Sequence, residues 1–212
     1  MPRLFPCLRR RAARAFRLVP RQFRRDGVIF IHVPKCAGSA LLDAYLGYQT
    51  GHVTAAEYRA ADPDLFDRAF VFAFVRDPVA RFVSAYDHVQ TDDLWDYLPG
   101  MRTVINRHGR TLTEVAERLQ PEAELLALPW FTPQHRFLEI RDRLAVNRVF
   151  KTESFATDLE VIRAETTLHL RPLAPINRRN DGGQSPAERL GPAAVANLRR
   201  IYSRDCTLFG YY

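Results

Sequence analysis

The chain has 212 residues, 47% of them hydrophobic and 14 of them Phe, which is enough for one domain with a real core and too apolar for global disorder. Its formal charge of +7 sits at one end: residues 1–25 hold nine Arg and no acid, and the 22 Lys and Arg that remain face all 24 Asp and Glu. The body is therefore slightly acidic, which argues against nucleic acid as a partner, because a nucleic-acid-binding domain carries its own basic face.

Cys7, Cys36 and Cys206 are too few and too scattered for a disulfide framework or a four-ligand zinc site. A reducing compartment is the expectation. No run of 18 apolar residues and no apolar signal core occurs, so no membrane-spanning helix is expected. Of 31 basic residues only Lys35 and Lys151 are lysine. A chain that uses Arg almost everywhere has kept a compact ammonium at position 35, where a planar fork would not serve.

Residues 3–25 place Leu4, Phe5, Leu8, Ala12, Ala15, Phe16, Val19 and Phe23 on one helical face, with Arg elsewhere and Pro20 interrupting. Such a segment either packs on the body or hangs loose with a solvated Arg face, or lies on an anionic membrane surface. Its acid-free composition also resembles a transit peptide, without the usual serines. We divide the chain into this basic tail, 1–26, and a domain, 27–212.

Val28–Val33 is a short, nearly continuous apolar run that predicts a parallel strand covered on both faces. Ser39–Leu46 predicts a helix, and Thr54 with Glu57 a capping box opening another. Ala69–Val75, "AFVFAFV", is a second buried strand. It ends at Arg76-Asp77-Pro78, and Pro78 suits the first turn of a helix whose apolar stripe is Val79, Phe82, Val83, Tyr86 and Val89. Residues 91–145 read as helical, with a second capping box at Thr111 and Glu114. Val146–Lys151 predicts a third strand and Ser154–Glu165 a helix. Residues 175–186 form a loop by their Asn, Gly and Pro content, and Pro186–Arg204 a helix broken near Gly191-Pro192. The alternation of buried strands and helices predicts an α/β fold: three layers, P-loop-like, with a mostly parallel central sheet flanked by helices. Ligands then bind beyond the carboxyl ends of the strands, and Lys35 and Arg76 both follow strand ends.

In "HVPKCAGSAL", Gly38, Ser39 and Ala40 would open a helix whose free N–H groups hold a phosphate, with Lys35 reaching over it. An ordinary strand-to-helix turn of small residues reads equally well. The lysine precedes the glycine, so the Walker spacing is absent. In "FVRDPVARFVSAY", Arg76 and Ser84 suit a second phosphate, the Arg by a bidentate contact; an Arg-Asp pair closing the helix start is the simpler alternative.

Together the two segments resemble the sulfotransferases that use 3′-phosphoadenosine 5′-phosphosulfate (PAPS), and more narrowly the carbohydrate branch related to heparan-sulfate 2-O- and chondroitin sulfotransferases. The ending "IYSRDCTLFGY" is similar to that branch's ending. The resemblance covers about 27–212. It implies that Lys35 stabilises the leaving oxygen at the phosphate–sulfuryl bridge, and that the backbone of Cys36, Ala37, Gly38, Ser39 and Ala40 holds the 5′-phosphate. Arg76 and Ser84 would hold the 3′-phosphate, with Arg178 or its neighbour Arg179 closing over it. Cys36 is read as a backbone donor and not a nucleophile. Sulfuryl transfer from an activated donor needs positioning and charge stabilisation, so no metal is expected.

A base must take the acceptor's proton. The Gly-His at Gly51-His52 resembles the branch's catalytic base, and His135 is the alternative, as base or acceptor-binding residue. His32 reads as a satisfied core residue, His88 and His169 as structural residues in helical patterns, His108 as part of a basic turn, and Glu57 as a cap. The resemblance implies a hydroxyl acceptor, a carbohydrate. The short chain without a spanning helix is expected to be a cytoplasmic bacterial member, in peripheral contact with the inner membrane surface through residues 1–25. A P-loop kinase or hydrolase, or a non-catalytic nucleotide-binding module, are the competing readings.

Overall fold

A computed structural model describes residues 18–90, 101–166, 168–173 and 183–212. Most of the basic tail, Cys7, and the loop bearing Arg178 and Arg179 lie outside the described residues. The chain divides into two units, Met1–Val75 with Arg136–Ile176 and Arg76–His135 with Asn177–Tyr212.

The first unit is built on a parallel three-stranded sheet in the order β1 (Val28–Ile31), β2 (Phe70–Val75), β5 (Arg148–Lys151). The expected α/β fold is the one observed, with helices flanking the sheet. All four β1 residues are buried, as are the last five of β2, which is why both read as unbroken apolar runs. Register sets Phe30 beside Phe72 and Phe74 beside Phe150. Their rings lie 5.2 and 5.5 Å apart, and Phe74 also meets Phe155 at 4.7 Å, a separation that suits aromatic pairs. Because β1 and β2 are parallel neighbours, their carboxyl ends lie at the same edge of the sheet.

The helices of this unit carry local start and stop signals. Helix α1 (Arg21–Asp26) ends at Gly27, whose φ of 64° makes it a left-handed cap. Phe23 in α1 is wholly buried, its ring 5.9 Å from those of both Tyr45 and Tyr58, and Arg24 pairs with Asp62 at 3.0 Å. Helix α2 (Gly38–Tyr45) follows β1. Helix α3 (Ala55–Ala61) opens on the expected Thr54–Glu57 capping box, and α4 (Pro63–Arg68) on an Asp62 cap with Pro at its first position.

The stretch read as helical through 145 departs from that expectation. After the single turn α8 (His135–Leu138) comes an antiparallel hairpin of β3 (Glu139–Ile140) and β4 (Arg143–Leu144). Its two-residue turn, Arg141-Asp142, holds φ of 52° and 59°, a left-handed pair that normally selects Asn-Gly. Without that signature the hairpin left no trace in the sequence. Helix α9 (Phe155–Glu165) follows β5.

The second unit is helical: α5 (Pro78–Val89), α6 (Met101–His108), α7 (Leu112–Arg118), α10 (Pro186–Leu190), α11 (Pro192–Ile201) and α12 (Ser203–Phe209). The break at Gly191-Pro192 and the Thr111–Glu114 capping box stand where expected. One core gathers Val79, Phe82, Val83 and Val89 of α5 with Ile105, Val115, Leu198 and Tyr202. Arg81 is 1% exposed within it, and its guanidinium donates to the Trp130 and Thr132 carbonyls at 2.9 and 2.6 Å. Among the described residues no helix is long and apolar enough to cross a membrane.

Candidate active site

The segment after β1 combines backbone strain with a bare helix start. Lys35 and Ala37 hold φ of 65° and 58°, a left-handed conformation that costs a side-chain-bearing residue roughly 1–2 kcal/mol. Such strain collects at functional turns, and left-handed residues in a tight turn curve successive N–H groups into a concave anion nest. Ala37 is the N-cap of α2 and offers no side-chain cap, so the first N–H groups of the helix are left for an anion. Cys36 is buried, its Sγ donating to the Pro34 carbonyl at 3.5 Å, which makes it a packed thiol. Lys35, Ala37 and Ala40 are half-buried and Ser39 is exposed.

Two histidines flank this turn. His52 donates its Nδ1 proton to the His32 carbonyl at 3.2 Å. A carbonyl only accepts, so the neutral ring keeps its lone pair on Nε2. The two rings lie 4.6 Å apart. His32 is buried, as expected of a core residue, but only partly satisfied, because its Nδ1 has no hydrogen-bond partner among the described residues. Burial pushes this imidazole down to about 3; the neighbouring His52 and Lys35 act in the same direction, while a backbone hydrogen bond with Gly51 opposes them. The ring packs on Gly38. A Cβ there would overlap His32 Cδ2 and stand 2.6 Å from Nε2, so the glycine is required by a close approach rather than by its φ.

In the second unit, the Arg76-Asp77-Pro78 turn is held from several sides. The Gln134 side chain takes the Arg76 N–H on Oε1 and donates from Nε2 to the Arg76 carbonyl, both at 2.9 Å. Asp77 does not pair with Arg76. Its carboxylate caps α5 through the Ala80 N–H at 2.8 Å and meets Arg199 at 2.6 Å, which removes the simple Arg-Asp reading of this motif. The half-buried Arg76 guanidinium and the half-buried Ser84 hydroxyl make no hydrogen bond or ion pair among the described residues. Two unpaired donor groups of these types suit a phosphate.

His135 also has an oriented ring. Its Nδ1 meets Asp205 Oδ1 at 2.7 Å, its backbone N–H reaches the same oxygen at 2.9 Å, and the Gln134 N–H reaches Oδ2 at 2.7 Å. Asp205 is wholly buried. Glu57 serves the Thr54 capping box, as expected. His88 lies beside Trp130, 6.1 Å between rings. His108 closes α6 instead of sitting in a turn, and His169 lies past the end of α9, outside any helix. Gln134, Asp205 and the partnership of His32 with His52 escaped the sequence reading. The one available signal was that Gln134 adjoins His135 and that Asp205 lies within the ending "IYSRDCTLFGY", both already singled out.

Residues 21–125, just under half of the chain, match the family model described as the sulfotransferase family. That stretch contains the Lys35 turn, His52, Arg76 and Ser84, and the match supports a sulfotransferase and sulfuryl transfer in general. No curated protein and no solved structure gave a significant match.

Proposed function

We propose that this protein is a PAPS-dependent sulfotransferase that moves a sulfuryl group to a hydroxyl of a carbohydrate acceptor. The observation that carries the reading is the strained turn at Lys35 and Ala37 running into an uncapped helix, within the stretch that matches the sulfotransferase family. The backbone of Cys36 to Ala40 holds the 5′-phosphate, and Arg76 and Ser84 hold the 3′-phosphate, with Arg178 as a further contact. The donor supplies an activated sulfuryl group. Lys35 neutralises charge on the departing phosphate oxygen. His52 accepts the acceptor hydroxyl's proton on Nε2, its Nδ1 fixed by the His32 carbonyl.

His135 supports a second reading of the base, since a buried carboxylate fixes its Nδ1 and leaves Nε2 without a hydrogen bond among the described residues. The carbohydrate branch rests on the similarity of the two motifs and of the chain's ending. A cytoplasmic location with peripheral membrane contact through residues 1–25 belongs to the same proposal. Thermal stabilisation by 3′-phosphoadenosine 5′-phosphate against ATP tests the donor. Stabilisation by the bisphosphate over ATP supports the assignment, and a preference for ATP with magnesium would replace it by a kinase or hydrolase.

A further inference from the structure

Gln134 is 0% exposed and turns both functional ends of its amide on one residue of the chain. The Oε1 and Nε2 contacts grip the N–H and carbonyl of Arg76, which restrains the peptide planes on both sides of that residue. Gln134 is in turn gripped by Asp205, whose buried carboxylate takes the Gln134 and His135 N–H groups. The segment leading to Gln134 is anchored again: Tyr202 donates its hydroxyl to the Phe131 carbonyl at 2.7 Å, and Arg81 holds the Trp130 and Thr132 carbonyls. Tyr202 and Asp205 come from the chain's ending and act as its buckle. Apart from Arg81 Nε, which has no partner among the described residues, these buried groups are hydrogen-bonded, and such a network rigidifies what it touches.

The network ends on a main chain, while the guanidinium of that same Arg76 is unpartnered among the described residues. An arginine held this firmly by its backbone, with its donors unspent, is arranged to meet an anion from outside at a fixed place and angle. We propose that Gln134 and Asp205 are positioning residues for the donor's 3′-phosphate. They act through the Arg76 backbone and set the preference for a 3′-phosphorylated nucleotide over one that lacks this group. The proposal rests on the assignment of Arg76 to that phosphate.

Titration calorimetry with 3′-phosphoadenosine 5′-phosphate and with adenosine 5′-phosphate separates the two ideas. The full chain is compared with Arg76→Ala, Gln134→Ala, Gln134→Glu and Asp205→Asn. Arg76→Ala should abolish the preference for the bisphosphate; if the preference persists, the Arg76 assignment fails and the proposal with it. With that control in place, Gln134→Ala should lose about tenfold or more of the preference, while affinity for adenosine 5′-phosphate stays within about twofold. Gln134→Glu keeps the acceptor for the Arg76 N–H but sets a carboxylate against the Arg76 carbonyl. It preserves shape where Gln134→Ala fails to fold, and should show the same loss. Asp205→Asn should show a smaller loss in the same direction. An unchanged preference in these variants, or an equal loss for both nucleotides that follows falling melting temperature, would overturn the proposal and leave Gln134 as scaffold.

Discussion

His52 donates its Nδ1 proton to the backbone carbonyl of His32 at 3.2 Å, and the His32 ring lies 4.6 Å away. One histidine thereby sets the tautomer of the other, and its ring packs against Gly38 at the start of α2. His52→Ala should lower kcat by about 10²–10⁴, the usual range for a general base, and leave binding of 3′-phosphoadenosine 5′-phosphate unchanged. Steady-state kinetics and calorimetry on one preparation check this. The same substitution at His135 should cost less than about tenfold in kcat; a larger loss there, with His52→Ala active, moves the base to the second unit.

Gly38 is fitted to the His32 ring. Gly38→Ala should destabilise the protein by about 1–3 kcal/mol, the usual penalty for overfilling a packed site. His32→Ala opens that space, so the double variant should recover part of the loss. A double-mutant cycle by denaturant unfolding measures the coupling, and strict additivity would show that the two residues do not press on each other.

The buried His32 imidazole titrates near 3 in the folded protein and near 6.5 in an unfolded chain. Below about pH 6.5 the unfolded chain takes a proton that the folded protein refuses. The contribution is therefore fully present above pH 6.5 and is lost as pH falls toward 3, at a limiting rate of about 1.4 kcal/mol per pH unit. His32→Phe should remove this component, so its stability falls less steeply than wild type between pH 6.5 and 4. Parallel curves would mean that the ring takes up its proton without resistance.

The basic amino-terminal segment ends in structure. Phe23 is wholly buried, so Phe23→Ala should cost about 3–5 kcal/mol in chemical denaturation. A membrane test should for that reason remove residues 1–17 only. If the tail holds the protein on a surface, this truncation should release it from anionic vesicles in a sedimentation assay while melting is retained; unchanged binding would place the contact elsewhere.

Elements whose causes lie within a few residues of one another could be read directly from the residues. The apolar runs "VIFI" and "FVFAFV" became strands buried on both faces, and Thr54 with Glu57 and Thr111 with Glu114 became capping boxes, because a cap needs partners only three positions apart. The placement of Lys35 and Arg76 shortly past strand ends was also legible. What holds them was not. The left-handed turn at Arg141-Asp142 has no residue that announces it. Gln134 meets Arg76 across 58 positions and Asp205 meets Gln134 across 71. Whether a buried glutamine or aspartate finds its partners depends on distant backbone brought to hydrogen-bond distance, and a low-dielectric interior makes that match decisive. Tertiary structure alone decided that the chain's ending buckles Gln134 onto Arg76, and that His32 aims His52.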